Sequence, residues 1–193
     1  MEAAVLSQRE VYREVNAVTG TARCVIFGSG MLSELPVAEL VRDLGLNISV
    51  CNRSVESAAL RDAFELMDEC VCALRPEKLF LGFGETDISR ADFDAERFFA
   101  DYARLIAEIS ARCACGIYLI PLLCESERAR ALNARIARLA RACGCECVNI
   151  SGVVGHEKPI LRLFGELTRY MRGVPAAPAR ASSARIEEIA PGA

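Results

Sequence analysis

The chain has 193 residues, 52% of them hydrophobic and 25% charged, enough to bury one substantial core and too few to suggest a second. A net charge of -3 and a pI near 5.4 argue against nucleic acid or an anionic membrane surface as partner. No apolar run reaches the roughly 18 residues of a membrane span, and the first residues lack the basic stretch and apolar run of a secretory signal, so the expected location is the cytoplasm.

In chain order, residues 1–18 read as a helix, with Val5, Val11, Val15 and Val18 among charges and Gly20 closing an N-terminal helical segment over 1–20. A short β-branched strand follows at 23–27. The next helix is expected from near Ser33 to Leu44, with Pro36 in its first turn and Gly45 as its stop. Residues 47–51 form the second strand. Ser54 is the expected cap of a helix running to about Leu74, carried by Leu60, Phe64, Met67 and Val71.

A third strand is predicted at 78–83, and a long amphipathic helix at 94–112 with Phe98, Tyr102, Leu105, Ile106 and Ile109 on one face. The nearly unbroken apolar run at 116–122 suits a strand buried on both faces. A helix at 125–143, a fifth strand at 146–150 and a last helix at 158–172 complete the pattern. Five alternations of strand and helix predict an α/β fold, a three-layer α/β/α sandwich around a five-stranded parallel sheet. Residues 1–172 are expected to form this single domain. Residues 173–193, rich in Pro, Ala, Ser and Gly, are expected to be a flexible tail.

Ten cysteines at this length invite a disulfide framework, but such frameworks belong to small secreted domains without a core. Cys24, Cys51, Cys70, Cys72 and Cys124 lie in or beside apolar runs, where a thiol behaves as a small hydrophobe. Cys113-Ala114-Cys115 and Cys143-Gly144-Cys145-Glu146-Cys147 carry i, i+2 spacings, shorter than the usual zinc knuckle. They are read as reduced thiols, and neither a metal nor another cofactor is expected.

Three strands end in turns of small polar residues: Gly28-Ser29-Gly30, Asn52-Arg53-Ser54 and Gly84-Glu85-Thr86-Asp87. In an open α/β sheet such turns gather at the carboxyl edge, where ligands bind. Gly28-Ser29-Gly30 lacks the spacing of a phosphate loop. Glu85 and Asp87 are a carboxylate pair of the kind used in acid–base work, and Asp87 is equally a turn residue.

The order and spacing of these turns resemble the SGNH hydrolases, or GDSL esterases, over residues 23–170. The resemblance implies the family's flavodoxin-like fold and an esterase or acylhydrolase acting on a small-molecule ester or related ligand. It also assigns positions. The family's first block, Gly-Asp-Ser, becomes Gly28-Ser29-Gly30, which puts the nucleophile position on Gly30 and leaves Ser29 one residue early. The second block places Asn52, Ser54 and Ser57 around an oxyanion-binding backbone N–H at Ser57. In the third, Gly-x-Asn-Asp becomes Gly84-Glu85-Thr86-Asp87, with Thr86 as the remaining side-chain donor. The fourth, Asp-x-x-His, becomes Val153-Val154-Gly155-His156, with the chain's single histidine as base and Val153 where the orienting carboxylate would be. The candidate catalytic pair is therefore Ser29 and His156. Set beside the esterase is an alternative: a catalytically inactive SGNH-fold pseudoenzyme that binds a ligand or partner. Serine esterase chemistry needs an activated hydroxyl, a base and oxyanion donors together, and two triad positions here hold other residues.

Overall fold

A computed structural model describes residues 3–173 and 176–178. The elements run α1 (Ala3–Thr19), β1 (Cys24–Gly28), α2 (Val37–Asp43), β2 (Val50–Asn52), α3 (Ala63–Cys70), β3 (Lys78–Gly82), α4 (Glu85–Ile88), α5 (Ala95–Arg112), β4 (Gly116–Leu119), α6 (Glu127–Cys143), β5 (Glu146–Cys147) and α7 (Pro159–Arg172). All strand pairs are parallel, in the order β2-β1-β3-β4-β5. The predicted α/β sandwich with a five-stranded parallel sheet is the fold observed.

Strand alternation divides the core into two layers. Val25, Phe27, Leu79, Leu81, Ile117 and Leu119 face the side covered by α1, α3, α5 and α6. Cys24, Ile26, Phe80, Tyr118 and Ile120 face α2 and α7, where Val37, Leu163, Phe164 and Leu167 pack. The central strands are buried on both faces, which is why they read as continuous apolar runs. The longer helices start at caps: the Asp94 carboxylate accepts from the N–H groups of Glu96 and Arg97, and the Ser126 hydroxyl from that of Ala129. Gly144, at φ 69°, ends α6 in the left-handed conformation.

Several local expectations are corrected. Residues 33–44 do not form one helix: a 3-10 turn over Gly30–Glu34 comes first, and α2 starts only after Pro36. Ser54 caps no helix, since the chain passes through a turn at Glu56-Ser57 and a 3-10 turn at Leu60–Asp62 before α3 begins. There Asp62 accepts from the Ala59 N–H. A further 3-10 turn, Cys72–Leu74, follows α3. Strands β4 and β5 stop at Leu119 and Cys147, because beyond them the chain turns away to build loops at the carboxyl edge. All ten cysteines are free thiols. The expected tail lies outside the described residues except for 173 and 176–178, where the Ala176 N–H donates to the Tyr118 hydroxyl at 2.8 Å. No helix among the described residues is long and apolar enough to cross a membrane.

Candidate functional site

The loops after β1, β2, β3 and β4 converge at the carboxyl edge of the sheet. Gly28 and Gly82 lie opposite each other in β1 and β3, and a Cβ on Gly28 would overlap the Gly82 carbonyl. This close approach presents Ser29 and Gly30 beside the start of α4. The Ser29 N–H donates to the Gly82 carbonyl at 3.0 Å, fixing the turn.

Glu85 closes this junction. Its Oε2 accepts from the Met31 N–H at 3.2 Å and its Oε1 from the Leu123 N–H at 3.0 Å, so one carboxylate joins the loops after β1 and β4. A side chain at position 30 would run into that carboxylate: a Cβ built on Gly30 overlaps Glu85 Oε2. Gly30 also has φ 57°, a conformation that L side chains rarely adopt. The space beside the first turn is filled from another strand's loop.

Ser29 is 3% exposed, and its hydroxyl is buried without a hydrogen-bond partner. It borders a void of only about 10 Å³, shared with Leu32, Glu85, Ile120, Leu122 and Leu123. A water needs about that much room, whereas an ester needs far more. His156 makes no hydrogen bond to the Ser29 hydroxyl. It is exposed, and its Nδ1 accepts from the Lys158 N–H at 3.0 Å. A neutral imidazole held this way carries its proton on Nε2 and has its lone pair already engaged. Glu125 lies against Gly155, and Val153 is fully buried in the α2/α7 layer.

Two of the neighbouring donors are occupied in the same manner. The Glu56 carbonyl accepts from both the Gly30 N–H at 3.1 Å and the Thr86 hydroxyl at 3.3 Å. Ser57 sits half-buried in the adjoining turn. Asn52 holds loops together: its Nδ2 donates to the carbonyls of Leu32 and Leu35, at 2.8 and 3.3 Å, and its Oδ1 accepts from the Ser54 N–H. The Ser54 carbonyl accepts from the Tyr12 hydroxyl, which ties α1 to this loop, while the Ser54 hydroxyl is buried without a partner. Gly84, at φ 130°, has no room for a Cβ against Leu122 and Phe98.

Asp87 points the other way. Both its oxygens accept from the Leu60 N–H at 3.1 Å, and it borders an open groove of about 300 Å³ with Arg61, Arg90, Phe93, Arg97 and Asp101. Burial pushes its carboxyl up to about 6, against the bond from Leu60. The folded protein then holds this proton more tightly than the unfolded chain. The associated stability is present below pH 4 and is lost as pH rises through 6, by roughly 2–3 kcal/mol. Asp87→Asn is expected to flatten that part of the dependence in urea melts between pH 4 and pH 7. An unchanged slope would show that Asp87 titrates normally.

Glu85 is the residue whose role the sequence reading missed. The signal available was complementary: a long charged side chain in the third block where the first block has no side chain at all.

No protein-family model matches the sequence, and no curated protein matches it. Solved structures do match. A candidate platelet activating factor from Streptococcus pneumonia has a TM-score of 0.69 at 17% identity, covering 96% of this chain and 89% of its own. A GDSL-like lipase from Bacteroides thetaiotaomicron has 0.63 at 16%, covering 94% and 92%. An acetylxylan esterase from Geobacillus stearothermophilus has 0.61 at 15%, covering 80% and 96%. At these identities the likeness is one of fold.

Proposed function

We propose that this chain, which carries the fold of the SGNH hydrolases, is a catalytically silent relative that works by binding a ligand rather than by hydrolysing an ester. The observation that carries this reading is the Glu85 carboxylate on Gly30, bonded to the Met31 and Leu123 N–H groups. It takes the volume a nucleophile's side chain would need. The supporting facts point the same way: the Ser29 hydroxyl has no base, and the Gly30 N–H and Thr86 hydroxyl are both spent on the Glu56 carbonyl. An oxyanion hole works only when its donors are free and aimed at the developing charge. An open groove lies beside Asp87, and its mixed charges and two phenylalanines suit a small ligand with polar and apolar parts.

The test is hydrolysis of a chromogenic short-chain acyl ester by purified wild type, Ser29→Ala and His156→Ala. All three are expected to match a blank preparation. Turnover by wild type that disappears in both variants would overturn the proposal and return the chain to the esterases.

A further inference from the structure

At the opposite, amino-terminal edge of the sheet lies a pair of thiols that the candidate site does not involve. Cys72 opens the 3-10 turn after α3, and Cys113 caps the C-terminus of α5. They are 41 positions apart in sequence, yet their Sγ atoms lie 3.3 Å from each other. A disulfide bond is about 2.05 Å long, so closure requires a shift on the order of 1 Å.

Three features set this pair apart from the other cysteines. Both thiols line an open cavity of about 370 Å³ together with Arg75, Pro76, Arg112 and Ala114, so small reagents have a way in. The Cys113 thiol donates to the Cys72 sulfur, so the two sulfurs are already oriented toward one another. Arg75, which closes the turn begun by Cys72, is the one described non-glycine residue with positive φ, at 47°. Such backbone strain concentrates where a segment has a task.

We propose that Cys72 and Cys113 form a reversible dithiol–disulfide site, in which one of the two sulfurs meets a peroxide and the other resolves the product. The thiolate of the first cysteine attacks one peroxide oxygen and the O–O bond breaks. The departing hydroxide takes a solvent proton to become water, leaving a sulfenic acid on that cysteine. The sulfur of the second cysteine then attacks the first and gives up its proton, and the hydroxide displaced leaves as a second water. Two thiols and one hydrogen peroxide thus yield one disulfide and two waters. A reducing dithiol reverses the change.

The experiment treats the reduced full chain with hydrogen peroxide in slight excess, blocks the remaining thiols by alkylation, and maps linkages by peptide mass spectrometry with fragmentation to assign each cysteine. The expected first product is a Cys72–Cys113 link, with both residues lost from the alkylated pool and recovered after dithiothreitol. In Cys72→Ser and in Cys113→Ser the cysteine that remains is expected to form no disulfide at this site, and oxidation there to stop at a dimedone-trappable sulfenic acid. A different first link, or both residues still alkylated after other thiols have oxidised, would overturn the pairing. The wild-type map needs no variant to fold.

Discussion

Gly30→Ser, the substitution that restores the family's serine, is expected to produce no esterase and to destabilise the protein by roughly 2–4 kcal/mol. Two costs combine. A non-glycine residue must adopt φ 57°, and its Cβ must displace the Glu85 carboxylate from the N–H groups of Met31 and Leu123. The second cost belongs to a pair and is separable. Glu85→Ala alone leaves two backbone donors without their acceptor and is itself expected to cost about 2 kcal/mol. In the double variant the overlap is already gone, so it should be more stable than the sum of the single effects by about 1–2 kcal/mol. Urea denaturation of the four proteins measures this coupling. Strict additivity would mean that Glu85 and position 30 do not compete for space.

The other large effect is expected at Lys78. This residue is fully buried at the start of β3, and its Nζ donates to the carbonyls of Tyr170, at 2.7 Å, Met171, at 2.9 Å, and Gly173. An ammonium has three donors, and all three are used on the last turn of α7. The side chain therefore does for that helix end what a capping residue normally does, from a strand 92 positions earlier. Burial lowers its pKa, the cost of desolvating the ammonium. Lys78→Met preserves most of the volume and removes every donor. It is expected to lower stability by roughly 2–4 kcal/mol, read as a drop in urea midpoint, with faster amide exchange in the final turn of α7. Loss of stability without local exchange would point to strand packing instead.

The framework was legible because its signals are local. The unbroken apolar runs at 24–28 and 79–82 and the side chains of Asp94 and Ser126 fix strands and helix starts without help from distant residues. The helices near Pro36 and Ser54 are shorter than their periodicity predicts because it continues through segments whose backbone bonds elsewhere. The N–H groups of Arg53 and Val55, for example, donate to the carbonyls of Ile26 and Gly28 in β1. The site was the least legible part. Glu85 acquires its meaning only from Gly30, Met31 and Leu123, which the sheet brings to it from 38 to 55 positions away in sequence. The buried hydroxyl of Ser29 and the engaged Nδ1 of His156 are likewise facts of tertiary placement.

The two outermost strands are the shortest: β2 has three residues and β5 two. An edge that short offers an incoming chain only one or two rungs of ladder to pair with, too few to register a stable extension. The described sheet therefore gives copies of this protein little means of joining edge to edge.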